Sequence, residues 1–352
     1  MKQSEKTKAG TRRYTLMEWA LARAKHQPRR LAFAGKTAAD FKAWQFAFQG
    51  KYRELLGPFP ERVPLRAKIL QRRKYPTHTL EKVVFDSEKW ASVPAWVALP
   101  AGGGKGKKFP AVVCCHGHSW GKNCYMGLNA REEDVPPEYH KNLGIRLAQE
   151  GYVAIAPDWR GFGERRELPE NNPSPRDICD VGNLWTQTFG FNLLALDVRD
   201  GMCAIDYLAT RNDVDISRVG CVGLSFGGTM TTFLSATDPR ITAACISGYL
   251  DGTMDGLSHW NLCGSQTLPG LLAWGDRAEI AGLVCPRPLL IQVGEYDSVF
   301  FAEGAVKEYR RLKRIYAAAG AGDRLGLDLF DGCHEIHVAG VLDWFGRWLK
   351  KP

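Results

Sequence analysis

Arg218-Val219-Gly220-Cys221-Val222-Gly223-Leu224-Ser225-Phe226-Gly227-Gly228 is the stretch on which the reading of this chain turns. Its apolar first half has the composition of a buried strand, and Thr229-Met230-Thr231-Thr232-Phe233-Leu234 can open a helix packed against that strand. A serine between strand and helix in Gly-x-Ser-x-Gly is a candidate nucleophile. The turn strains its backbone, side chains two residues away on either side would collide, and Gly223 and Gly227 remove them. Free N–H groups at the start of the following helix face any anion forming beside Ser225. An ordinary tight turn uses the same residue types; the strand before the motif and Gly228 after it favour the nucleophile.

Outward from this stretch, strands and helices alternate. Pro110–Cys115, Tyr152–Pro157, Arg218–Val222, Thr242–Ser247, Pro288–Val293 and Arg324–Phe330 read as strands. Leu143–Glu150, Leu184–Thr210, Gly227–Ser235, Asp276–Leu283, Ala302–Ala319 and Val338–Leu349 read as helices. Such alternation predicts an α/β fold, a mostly parallel central sheet with helices on both faces. Glu81–Phe85 and Pro94–Leu99 suit an antiparallel edge. Upstream, Met17–Ala24 and Ala38–Leu56 read as helices; Phe41, Trp44, Phe48, Tyr52 and Leu55 recur at three- and four-residue steps, so one apolar stripe must lie on something larger. Residues 1–75 are therefore expected to be a basic helical extension packed on a catalytic domain spanning 76–352.

Activation of a serine hydroxyl needs a base, and the base needs a carboxylate to orient it. Asp297 follows the strand Pro288–Val293 in Gly294-Glu295-Tyr296-Asp297, with Glu295, nearer the strand, as a rival if the turn is tighter. His334 follows the last strand in Gly332-Cys333-His334, and His337 reads as a capping or surface residue. The order Ser225, Asp297, His334, each after its own strand, is the order of α/β hydrolases. An oxyanion would be met by the N–H of Phe226 and by that of His118, in the loop after Cys115. The side chains of His116 and His118 read as loop-stabilising groups, and Asp158 and Arg160 as an ion pair shaping their loop. Two long connections, near 159–182 and 248–274, leave the edge where Ser225 must sit and should wall a pocket. Trp120, Trp159, Trp185, Trp260 and Trp274 are candidates to line it, local loop packing being the alternative.

On these residues the chain resembles the α/β hydrolases, in particular the esterase branch that holds bacterial acetyl xylan esterases and serine-type relatives of dienelactone hydrolase. The resemblance covers about residues 38–349. It rests on Cys115-His116-Gly117-His118, Pro157-Asp158-Trp159-Arg160-Gly161-Phe162-Gly163, Gly223-Leu224-Ser225-Phe226-Gly227-Gly228, Pro286-Arg287-Pro288-Leu289-Leu290, Gly294-Glu295-Tyr296-Asp297 and Gly332-Cys333-His334. It implies a serine carboxylic-ester hydrolase working through an acyl-enzyme on short, acetyl-type esters, some of carbohydrates, with Ser225, Asp297 and His334 as triad and the Phe226 and His118 amides as oxyanion hole. Dienelactone hydrolase proper uses cysteine where this chain has Ser225, which argues against that particular reaction. A peptidase of prolyl-oligopeptidase type and a non-catalytic binding protein of the same fold are the alternatives; 352 residues leave no room for the propeller domain of the former.

Composition narrows the remaining classes. Residues 1–74 carry 19 Lys and Arg against 5 Asp and Glu, whereas the rest carry 28 against 33, so the net charge of +9 belongs to the extension. Its basic residues interleave with an amphipathic pattern, which reads as a solvated helix face; no nucleic-acid partner is expected. No run of eighteen apolar residues occurs, so no membrane span is expected either. Thr11-Arg12-Arg13-Tyr14-Thr15-Leu16 resembles a twin-arginine export signal, but Glu18, Arg23, Lys25 and His26 stand where an apolar segment would follow. Ten cysteines, several within strand-like runs (Cys114, Cys115, Cys221, Cys245), read as reduced thiols of a cytoplasmic protein. No Cys-x-x-Cys pair or local His/Cys cluster has zinc-site spacing, so neither a metal nor any other cofactor is expected. A small-molecule ester is the expected partner.

Overall fold

Nine strands form one sheet in the order β1-β2-β3-β5-β4-β6-β7-β8-β9. They are β1 Lys68–Lys74, β2 His78–Glu88, β3 Ala91–Pro100, β4 Phe109–Cys115, β5 Val153–Pro157, β6 Val214–Leu224, β7 Ile241–Ser247, β8 Leu289–Gly294 and β9 Leu325–Phe330. The computed structural model describes residues 14–102, 106–167, 178–259 and 263–350. From β5 to β9 through β4 all neighbours are parallel, while β1, β2 and β3 pair antiparallel and join through β3 to β5. Every residue of β4, β5 and β8 is buried, as continuous apolar runs in a sheet covered on both faces require.

The helices are α1 Leu16–His26, α2 Ala38–Leu56, α3 Leu143–Gln149, α4 Ile178–Thr188, α5 Leu193–Ala209, α6 Phe226–Thr237, α7 Thr253–Ser258, α8 Arg277–Gly282, α9 Ala302–Ala318 and α10 Val338–Leu349. Residues of α5, α6, α8 and α9 make one core with the sheet, and residues of α3 and α10 make the core on the other face. The fold is that of an α/β hydrolase, a mostly parallel sheet between helical layers. Cys114 and Cys245 point into one core and Cys115 and Cys221 into the other, all four as unpaired thiols.

Helix α2 shows how sequence becomes packing here. A capping box of Thr37 and Asp40 starts it, and Gly57, at φ 84°, stops it before Pro58. Between these ends Phe41, Trp44, Phe48, Tyr52 and Leu56 are buried on one stripe. Trp44 stacks on Phe48 with ring centroids 5.6 Å apart, and the Tyr52 hydroxyl donates to the Phe233 carbonyl of α6 at 3.0 Å. Each such side chain contributes roughly 1.5–3 kcal/mol through removal from water. Helix α1 has an equally complete capping box, Thr15 with Glu18, yet buries no residue.

Three expectations are corrected. Residues 68–74 form strand β1 within the sheet and are not part of a helical segment; five exposed residues in a row left no alternation to read. The long helix expected over Leu184–Thr210 is two helices, because Gly190 turns at φ 80° and the Asn192 side chain caps α5 by accepting from Leu194 N–H at 2.9 Å. Asp158 and Arg160 do not pair with each other. Asp158 binds buried Lys122 (2.8 Å) and accepts the Lys122 and Glu164 amides, while Arg160 binds Asp200 (3.0 Å) and Glu88 (2.6 Å).

Candidate active site

The chain passes from β5, on one side of β4, to β6, on the other, so the carboxyl ends of β4 and β6 flank the point where strand order reverses. A crevice opens at such a point, and Ser225 stands at the β6 side of it. Ser225 has φ 63° and ψ −123°, caps α6, and is 9% exposed. The two glycines of the turn are needed for close approach: a Cβ on Gly223 would run into the Gly227 carbonyl, and one on Gly227 into the Cys115 carbonyl. That tightness turns the serine out of the strand at the cost of a strained backbone, on the order of 1–3 kcal/mol.

Asp297 and His334 are brought together as the spacing suggests. His334 Nδ1 lies 2.8 Å from Asp297 Oδ2, and the other carboxylate oxygen accepts the Val299 and Phe300 amides, each at 2.8 Å. These bonds fix the carboxylate, which is 4% exposed. Glu295 is exposed, with its amide spent on the Phe330 carbonyl. The imidazole of His334 lies against Gly248, where an added Cβ would come within 3.1 Å of its Cε1. The residue before, Ser247, accepts the Ser225 amide at 3.1 Å, so nucleophile and base candidates flank the same end of β7. His337 caps α10 and holds Asp328 at 2.9 Å.

The loop after β4 passes close to the elbow: a Cβ on Gly117 would be 3.2 Å from Ser225 Cβ. Phe226, as first residue of α6, points its N–H toward no acceptor within the helix. Buried His116 holds the loop, its Nε2 accepting the Trp159 amide (3.1 Å) and its Nδ1 donating to the Gly117 carbonyl (2.8 Å). Burial lowers its pKa to about 4, so it stays neutral and keeps that tautomer. Two groups that the sequence did not signal complete the loop. His140 Nε2 accepts the Gly117 amide at 3.2 Å, with burial pushing this histidine well below its ordinary value, and the Tyr139 hydroxyl donates to the His118 carbonyl at 3.0 Å. They lie in an irregular stretch without periodicity, where nothing local marks them.

The His118 imidazole does more than pack in its loop. Its Nε2 lies 3.4 Å from the Cys179 sulfur and 3.5 Å from the Cys263 sulfur. Hydrogen bonding from Cys179 first, then from His118 and Ser265, lowers the Cys263 thiol to about 5 against the opposing effect of burial.

A cavity of about 380 Å³ adjoins His118, lined also by Trp120, Glu138, Tyr139, Phe162 and Arg166. Trp120 is 47% exposed on its wall. Trp159 is fully buried in the core and does not line this cavity; Trp185 borders a separate recess beside Arg165 and Leu193. Trp274 lies under Arg30 and Lys51, and Trp260 falls outside the described residues. A further cavity, about 330 Å³ between α1, α7 and residues 266–273, takes no lining from residues 116–118, 225, 297 or 334 and is separate from the site.

Residues 101–249 match the family described as the dienelactone hydrolase family. The chain is 28% identical over 278 residues to the Bacillus subtilis protein named "Putative hydrolase YtaP", covering 76% of this chain and 87% of that one. Among solved structures, one described as a "putative acetyl xylan esterase" from Bacteroides fragilis superposes with a TM-score of 0.74 at 18% identity, over 91% of this chain and 83% of that chain. A glucuronoyl esterase from Solibacter usitatus superposes with a TM-score of 0.63 at 15% identity, over 91% and 98%. Elbow, strand order and the match over residues 101–249 agree: the chain has the α/β-hydrolase fold and over that stretch is similar to the dienelactone hydrolase family, as an esterase-like hydrolase would be.

Proposed function

We propose that the protein is a serine esterase that cleaves short-acyl esters through an acyl-enzyme, with Ser225 as nucleophile, His334 as base and Asp297 as the acid that orients it. The observation that carries this reading is the 2.8 Å contact between His334 Nδ1 and Asp297 Oδ2 at the same end of β7 that holds the strained Ser225. Asp297 keeps the proton on Nδ1, which leaves Nε2 to take the Ser225 proton as Oγ attacks the ester carbonyl. The Phe226 and His118 amides receive the oxyanion. Collapse of the tetrahedral adduct expels the alcohol, protonated by His334, and water activated by the same imidazole releases the acid and restores Ser225.

The adjoining cavity supports a small substrate with a polar alcohol portion. Its 380 Å³ is near the lower end of ligand sites, and Glu138, Arg166 and the exposed Trp120 offer hydrogen bonds and an aromatic platform of the kind an acetylated carbohydrate would use. Hydrolysis of p-nitrophenyl esters from acetate to octanoate tests the reading. Wild type should turn over the short esters, and Ser225→Ala should lose at least about a thousandfold in rate. Equal activity of the two proteins would remove Ser225 from the mechanism, and equal inactivity on every chain length would remove the esterase assignment.

A further inference from the structure

We propose that His118, Cys179 and Cys263 form a zinc-class metal site that ties the two long connections, after β5 and after β7, to the loop after β4. The three ligand atoms come from three separate segments: the β4 loop, the first turn of α4, and the residue that precedes the short 3-10 turn Gly264–Gln266. Their separations are 3.4 Å (His118 Nε2 to Cys179 Sγ), 3.5 Å (His118 Nε2 to Cys263 Sγ) and 3.5 Å (Sγ to Sγ). Tetrahedral zinc with bonds of about 2.0–2.1 Å to nitrogen and about 2.3 Å to sulfur sets ligands apart by roughly 3.6 Å for N to S and roughly 3.8 Å for S to S. The observed triangle lies within a few tenths of an ångström of that. A point about 2.0 Å from all three atoms lies at its centre, and moving the ion about 1 Å out of the plane puts it about 2.2 Å from each, between the zinc–nitrogen and zinc–sulfur lengths, and leaves a fourth position open.

The surroundings are built to hold the three atoms there. The His118 ring stands edge-on to Phe162 and tilted to Phe226, each at a centroid distance of 5.4 Å, which sets its orientation. Ser265 Oγ lies 3.1 Å from the Cys263 sulfur, and Asp180, next to Cys179, accepts the amide of Gly264, next to Cys263, at 2.6 Å. One ligand is therefore tied to its neighbour by a bond that does not involve the metal. Two thiolates and an imidazole are a soft set that selects Zn²⁺ over the hard cations. A disulfide is the other product that two close thiols could form, but 3.5 Å between sulfurs is far from the bonded distance of about 2.05 Å. Binding replaces two S–H protons with two S–metal bonds, so both protons go to solvent.

The site's place gives it a role. His118 belongs to the loop after β4 that passes Ser225 at Gly117, Cys179 to the connection whose Gly161, Phe162 and Arg166 line the cavity with it, and Cys263 to the connection after β7, so one ion would hold all three together. The existence of the site does not depend on the triad assignment.

Metal content and a spectroscopic probe test it, with the whole chain in each case. Wild-type protein loaded with Zn²⁺ and desalted should retain about one ion per chain, and replacement by Co²⁺ should give the thiolate charge-transfer and tetrahedral ligand-field bands of a mixed sulfur and nitrogen site. Cys179→Ser/Cys263→Ser should lose both the ion and the bands, while Cys333→Ser, at an exposed cysteine outside the cluster, should keep them. Absence of retained zinc together with absence of thiolate bands in the wild type would overturn the proposal whatever the variants do. Bands that persist in the double variant would overturn it as well, as would a Cys179–Cys263 disulfide in freshly purified protein that binds metal neither before nor after reduction.

Discussion

Two groups of side chains meet at the carboxyl edge of the sheet, and they arrive by different routes. Ser225, Asp297 and His334 each sit within four residues of the end of their own strand, β6, β8 and β9, so the hydrogen-bond register of neighbouring parallel strands places them relative to one another. His118, Cys179 and Cys263 lie 61 and 84 residues apart along the chain, and two of them belong to long connections that no ladder positions. The first group inherits its geometry from the backbone of the parallel part of the sheet. The second depends on side chains packing against each other, which is the kind of placement a bound ion can make rigid. Strand ends suit chemistry that needs fixed distances, and long connections suit the parts that vary the pocket.

Variants can break or sharpen that contrast. The largest effect should come from Asp297→Asn, which keeps the shape but favours the wrong imidazole tautomer. Its kcat on a p-nitrophenyl ester should fall by on the order of a thousandfold or more, with bound zinc unchanged, and Glu295→Gln should have little effect. A loss of less than about tenfold would shift the triad acid elsewhere.

Next is His116→Gln, which probes the strand-end side through stability. The folded state keeps His116 neutral down to about pH 4, whereas the unfolded chain takes up a proton near the ordinary value of 6.5. Between those values the unfolded state binds about one more proton, so stability falls on acidification from below pH 6.5 and the loss levels off near pH 4. Through this group the wild type should lose about 3 kcal/mol across that window. The variant lacks the contribution, so urea unfolding should show the gap between the two proteins narrowing toward low pH. A gap independent of pH would mean that His116 is not held neutral.

The smallest effect belongs to Cys179→Ser/Cys263→Ser. These side chains touch the loop proposed to carry an oxyanion donor but not the proposed reacting atoms, so esterase activity should fall roughly tenfold, within the range a displaced loop produces. A loss matching that of Asp297→Asn would erase the distinction between the two groups.

Much of the strand-end group was legible before any coordinates. Gly223 and Gly227 announced the elbow because only glycine tolerates the contacts made there, and helix α2 was readable from its apolar stripe, although Leu56 and not Leu55 is the last residue it buries. Strand β1 was not, since an exposed edge strand lacks alternation, and neither was the break between α4 and α5, where Gly190 and Asn192 lie inside an otherwise apolar helical pattern. Trp159 was a pocket candidate by its position in the chain, with local packing as the alternative, and it lies buried in the core.

Periodicity, glycine placement and the order of serine, aspartate and histidine determined, without coordinates, the α/β class, the elbow and the three triad candidates, because each is a local pattern read one element at a time. Tertiary structure alone decided that His140 and Tyr139 hold the β4 loop, that Asp297 and not Glu295 meets His334, and that His118 stands between two thiols. The reason is physical: convergence of side chains from distant segments is set by how long connections fold back on a rigid sheet, and separation along the chain carries no trace of it.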